Sequence, residues 1–199
     1  MQYPLSIQNL IREFMKLPTV GPKTAERFVF YLLQQNPEEL QKFAQAIAEL
    51  KEKIIICQNC FAVTDSHPCE ICRDQKRDSS LLCVVENTRD MLAMEKIKEY
   101  NGYYLVLGGV INSLEGVRPD NLRIKELINK AKTGKIKEII LAFNSNFEGE
   151  ATSLYITKEL KTYKIKITRL AKGLPMGSDL EYADDITLVN AFKNRNEIK

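Results

Sequence analysis

The chain has 199 residues, 44% of them hydrophobic and 28% charged, with a formal net charge of +3. That length allows one medium domain or two small ones with a real core, and the composition is that of an ordinary soluble globular protein. Its longest apolar runs, Leu81–Val85 and Tyr103–Leu107, are far short of a membrane span, no N-terminal targeting pattern is visible, and the expected location is cytoplasmic. A small positive charge permits nucleic-acid binding without requiring it, so any basic surface must be local.

The first third reads as helices. Ile7, Leu10, Ile11 and Phe14 recur at helical spacing on one face, and the helix stops before Pro18. Ala25, Phe28, Val29, Leu32 and Leu33 form the stripe of a second helix. A third is expected to start with Asn36 as cap and Pro37 at the first helical position, with Glu38 and Glu39 in the favourable first turn. The joint between the first two helices, Leu17-Pro18-Thr19-Val20-Gly21-Pro22-Lys23-Thr24-Ala25, resembles a helix-hairpin-helix, whose usual form has a glycine on each side of an apolar residue. In that motif backbone amides near Gly21 and the following helix N-terminus meet a phosphate. Lys23 and Arg27, four residues apart, can share one exposed face beside it. Thr19 stands at the first glycine position. The other reading is a plain helical hairpin with solvated basic residues.

Next come two C-x-x-C pairs, Cys57-Gln58-Asn59-Cys60 and Cys69-Glu70-Ile71-Cys72. Four thiolates this close in sequence can converge on one tetrahedral zinc. With four sulfurs the site is structural, since no position remains for a catalytic water. The loop between the pairs, Phe61 to Pro68, has too few apolar residues for a core of its own, so the metal is expected to hold it together. His67 reads as a loop residue. Disulfides and a redox pair are the competing readings. The intracellular character argues against the first, and two pairs in a loop argue against the second.

After Arg77 the pattern alternates. Leu81 to Glu86 is a buried strand ending on a carboxylate, with Cys83 as a small core residue. Then follow a helix from Thr88 to about Tyr100, a strand over Tyr103–Leu107, a loop opened by Gly108-Gly109, and a helix from about Asn121 to Lys132. A strand over Glu138–Phe143, a helix from about Gly149 to Tyr163 and a strand over Lys164–Leu170 complete the run. Such alternation means a mainly parallel, doubly wound sheet. A closing helix at about Ile186–Arg195, with apolar Leu188, Val189 and Phe192, is expected to pack on another protomer. The tail 193–199 is polar enough to fray.

The loop Asn144-Ser145-Asn146-Phe147-Glu148-Gly149-Glu150, with Glu86 ending an earlier strand, is similar to the Toprim pattern of topoisomerases and primases. There, acids gather Mg²⁺ for phosphoryl transfer. Here asparagine holds both aspartate positions, Asn144 and Asn146, while Glu86, Glu148 and Glu150 remain. Losing two negative charges sharply weakens a site for a hard divalent ion. No Walker A motif occurs either.

Taken in order, the hairpin, the four-Cys module, Cys83-Val84-Val85-Glu86, the Glu148-Gly149-Glu150-Ala151-Thr152 stretch and Ala171-Lys172-Gly173-Leu174-Pro175-Met176-Gly177 make the chain resemble the RecR family of bacterial recombination mediators. The resemblance implies an α+β chain of several modules: helix-hairpin-helix (1–53), four-Cys zinc module (54–76), α/β Toprim domain with a mainly parallel sheet (77–172) and C-terminal assembly segment (173–199). It implies a non-catalytic DNA-repair role with RecO, and RecF as a further partner, in loading RecA on gapped DNA coated by SSB. A homodimeric or homotetrameric ring is implied as well. One zinc is expected on Cys57, Cys60, Cys69 and Cys72, DNA at Gly21, Lys23 and Arg27, and a docking surface for RecO at Asn144, Glu148 and Glu150, the two glutamates exposed at a helix N-terminus. Glu86 and Asn146 are then remnants of the metal site. The opposing hypothesis is a Mg²⁺-dependent Toprim nuclease or primase-like enzyme, and a third is a scaffold with no nucleic-acid contact.

Overall fold

The structure is a computed structural model that describes residues 3–195 and 197; three residues of the polar tail, 196, 198 and 199, lie outside them. The chain divides into two compact units, Met1–Ile54 and Ile55–Lys199.

The first unit is helical: α1 (Leu5–Phe14), α2 (Pro22–Leu33) and α3 (Pro37–Glu49). Phe14 meets Phe28 edge-on at 5.5 Å, the i, i+7 end of one stripe against the middle of the next. Asn36 caps α3 as its position suggests, accepting from the Glu39 N–H at 2.9 Å. Among the described residues of this unit only Ala25 and Val29 are buried, while Leu5, Tyr31, Leu33, Ile47 and Leu50 stay exposed.

The second unit opens with a two-stranded antiparallel hairpin, β1 (Ile55–Ile56) and β2 (Val63–Thr64), and a single helical turn, α4 (Glu70–Arg73). A four-stranded sheet follows, built from β3 (Asp78–Val85), β4 (Gly102–Val106), β5 (Glu138–Ala142) and β6 (Lys166–Arg169). Its order is β4-β3-β5-β6, and every pairing is parallel. The crossovers are α5 (Thr88–Lys96), α6 (Ile124–Lys132) and α7 (Phe147–Leu160), and α8 (Asp185–Lys193) closes the chain. A 3-10 turn over Pro119–Asn121 replaces the start expected for α6. Proline fixes the first residue there, and Asn121 folds back to accept from the Arg118 N–H at 2.8 Å.

Side chains alternate along the buried strands as a pleat requires. Leu82 and Val84 join Leu105, Leu107, Ile139 and Leu141 on one face, packed with Leu127 of α6 and Ile156 and Leu160 of α7. Cys83 and Val85 point the other way, with Tyr104, Val106 and Met91 of α5. Among the described residues no helix is long and apolar enough to cross a membrane.

Candidate metal centre and nucleic-acid interface

The four cysteines come together. Cys57 and Cys60 belong to the β1–β2 hairpin, and Cys69 and Cys72 to the turn of α4 and its N-cap. Their Sγ atoms all lie within 4.8 Å of one another, with Cys60 and Cys69 3.6 Å apart. Tetrahedral Zn–S bonds of 2.3 Å set the sulfurs about 3.8 Å apart, so the set fits such an ion. Among the described residues this is the only group of three or more His, Cys, Asp or Glu side chains placed to hold a metal ion. The electrostatics agree. The Cys60 thiol is held down to about 5, chiefly by the hydrogen bond from Cys72. Burial pushes Cys69 up to about 11, and Cys72, which donates to Cys60, is raised further. One thiolate is supported by its neighbours, and more than one needs a cation. His67 stands aside: its Nδ1 accepts from the Gln58 N–H at 3.3 Å and lies 3.8 Å from Cys57 Sγ.

The loop has a second support besides the expected metal. Cys57, Cys60 and Ala62 are buried in one cluster with Cys83, Val85, Tyr104 and Val106 of the sheet. The Val106 N–H donates to the Cys60 carbonyl at 2.7 Å, and the Val63 N–H donates to Thr88 Oγ1 at 3.0 Å. The module borrows the sheet's core. The sequence signal for this was the apolar pair Phe61-Ala62 directly after the first C-x-x-C.

At the carboxyl ends of β3 and β5 the Toprim-like residues meet. Asn144 Nδ2 donates to Glu86 Oε2 at 3.2 Å. Asn146 caps α7, accepting from the Gly149 N–H at 2.9 Å. Gly149 fits because the chain turns back on itself: a Cβ there would stand 2.2 Å from the Asn144 carbonyl oxygen. Glu148 and Glu150 are half-buried, against the expectation that both are exposed. Glu150 pairs with two cations at and just after the end of β6, contacting Arg169 at 3.1 Å and also Lys172. The Lys172 contact, with Arg169 behind it, holds its carboxyl below the ordinary range. Sequence reading missed both cations, because nothing in the local pattern links positions 169 and 172 to 150.

In the helical unit Lys23 and Arg27 are exposed on α2, and no ion pair among the described residues involves either. Gly21 is the extended N-cap of α2. Thr19 adopts φ +64°, the left-handed conformation that glycine takes without strain. The hairpin therefore keeps a glycine-type bend with a threonine in it.

The parallel sheet with its acid-and-amide edge, following a helical hairpin and a four-cysteine turn in the chain, is that of a Toprim-domain protein. Residues 80–171 match the model of a Toprim domain, residues 7–51 that described as RecR, helix-hairpin-helix, and residues 173–196 that described as RecR, C-terminal. The chain is 48% identical over 199 residues to the Recombination protein RecR of Moorella thermoacetica, covering all of both chains. It is also 48% identical over 193 residues to that of Paenarthrobacter aurescens, covering 97% of each. The chain belongs to the RecR family.

Proposed function

We propose that the chain is a non-enzymatic mediator of recombinational DNA repair. It binds DNA and acts with RecO, and with RecF as a further partner, to load RecA on gapped DNA coated by SSB. The carrying observation is the hydrogen bond from Asn144 to Glu86. An amide donor occupies the place of a second acid, so the edge of the sheet lacks the converging charge a Mg²⁺ site needs. Glu150, committed to Arg169 and Lys172, is turned away from that task as well.

DNA is assigned to the hairpin, where Lys23 and Arg27 follow the Gly21 N-cap along α2. One hairpin makes few phosphate contacts, and a homodimeric or homotetrameric ring multiplies them. The exposed Ile186, Val189 and Phe192 of α8 support assembly through the C-terminal segment. The four cysteines hold one structural zinc, with no open coordination position. Asn144 and Glu148 form the docking surface for RecO, with Glu150 as its inner support and Glu86 and Asn146 bracing the loop. The location is cytoplasmic. The working modules are 1–53, 54–76, 77–172 and 173–199.

Labelled DNA incubated with the protein and Mg²⁺, read for gel shift and cleavage together, tests the reading. A shift without cleavage supports it. Mg²⁺-dependent cleavage abolished by Glu148→Gln would overturn it in favour of a Toprim nuclease.

A further inference from the structure

We propose that the groove between the four-cysteine hairpin and the carboxyl ends of β3 and β4 holds one unpaired nucleotide of single-stranded DNA. Its base lies on the Arg123 guanidinium and its phosphate at Arg89. The groove encloses ≈ 510 Å³, with Ile56, Phe61, Val63 and Val106 among its walls, and its only charged lining residues are Arg89 and Arg123. An apolar floor with two cations, one of them loosely paired to Glu126 outside the lining, suits a ligand that joins a flat apolar body to negative charge.

Arg123 is the more informative of the two. Its backbone N–H donates to the Leu107 carbonyl at 3.0 Å, which fixes its root beside the end of β4. Its guanidinium carbon lies 4.4 Å from the centre of the Phe61 ring, and its Nη1 lies 3.9 Å from Glu126 Oε1. The Phe61 ring packs beside the guanidinium, and 37% of the Arg123 side chain is open to solvent. A guanidinium within cation–π reach of an aromatic ring, with part of it open to solvent, offers a planar surface on which any base can stack. Arg89 is exposed in the first turn of α5. The amides of Arg89 and Asp90 are already taken by Asn87 Oδ1 at 2.9 and 3.1 Å. A phosphate here must therefore be met by the Arg89 side chain, with only the field of the helix behind it.

A duplex hides its base faces in the stack, so the groove discriminates for unpaired strands. An acidic peptide would satisfy the charges but would make no use of the plane. Arg123→Lys, which keeps charge and loses the plane, separates the two.

The inference rests on the reading that the chain binds DNA, and its test keeps the two apart. Full-length zinc-loaded protein is titrated with fluorescent oligothymidylate and with a duplex of equal length, over a range of salt. Arg123→Lys should weaken oligothymidylate roughly tenfold and leave the duplex unchanged. Arg89→Gln should reduce the single-strand salt slope by about 1. Lys23→Ala with Arg27→Ala should weaken both probes. An oligonucleotide carrying 5-iodouracil should photo-crosslink to the Phe61–Val63 segment of the unaltered protein, a readout independent of any variant. Loss of binding in the Lys23/Arg27 variant alone, with no crosslink at the hairpin, overturns the groove and leaves the DNA reading intact. So does equal loss on both probes in Arg123→Lys. So does an Asp/Phe-rich peptide that binds the unaltered protein but not Arg89→Gln, with oligothymidylate unaffected; that result gives the groove to a protein partner. Failure of the unaltered protein to bind either DNA removes both readings.

Discussion

Asn144 donates to Glu86 across the carboxyl ends of two adjacent strands, at 3.2 Å. Exchanging that amide for an acid would turn an attraction into a repulsion. In Asn144→Asp one of the two carboxyls should titrate above its ordinary value. A raised folded pKa gives stability that is present in acid and lost as pH rises through it, so the variant should melt below the parent at neutral pH and converge with it in acid. Solvent at this open edge keeps the deficit to about 1 kcal/mol. Added Mg²⁺ should recover part of it. Identical melting profiles across pH would show that the two groups do not interact.

Gly149→Ala should be costly. The added methyl would meet backbone at 2.2 Å, and backbone cannot swing away as a long side chain does. A loss of about 1–3 kcal/mol is expected, with the N-terminal turn of α7 the first region to exchange its amides. An alanine variant as stable as the parent would mean the turn is slacker than described.

The lowered Glu150 carboxyl gives the acid limb of stability a definite sign. Its contribution is in place above the ordinary glutamate range and is lost as pH falls through its lowered value. Glu150→Gln should therefore flatten the loss of stability in acid. The glutamate side chain is 38% exposed, so the effect should be no more than about 1 kcal/mol and should shrink in high salt. An unchanged acid limb would detach this cluster from stability.

One zinc per chain is expected by metal analysis, and a chelator should lower the melting temperature. Serine at Cys57 or Cys60, both fully buried, should be more damaging than serine at the partly open Cys72. Well under one zinc in correctly folded protein would remove the metal from the account.

Replacing Lys23 and Arg27 together with alanine should weaken DNA binding alike on all sequences. The log–log salt slope should fall by about 1 per lost contact. Unchanged binding across salt would make the hairpin structural only.

The parts of this fold that were legible in the sequence are those governed by local chemistry. Asn36 and Pro37 announced the start of α3, the two C-x-x-C pairs announced their own convergence, and the apolar run around Cys83 announced a central strand. Long-range partnerships were not legible. The Glu150–Arg169–Lys172 cluster depends on the β5–β6 crossover, and Arg123 over Phe61 joins positions 62 residues apart. Edges moved for the same reason. The helix expected from Gly149 begins at Phe147 because Asn146, read as a metal-site remnant, acts as its cap.

The hydrogen bond from Val106 to Cys60 also bears on solubility. β4 stands at the rim of the sheet, and its Leu107 end is tied inward to Val85 while the Val106 N–H points outward. An outward-facing amide row on a flat, apolar strand is a template on which another chain can add. Here the cysteine turn occupies the carboxyl end of that template. Chelating the metal would thus do more than loosen a small loop: it would bare a sticky margin, and aggregation should precede the loss of helical signal.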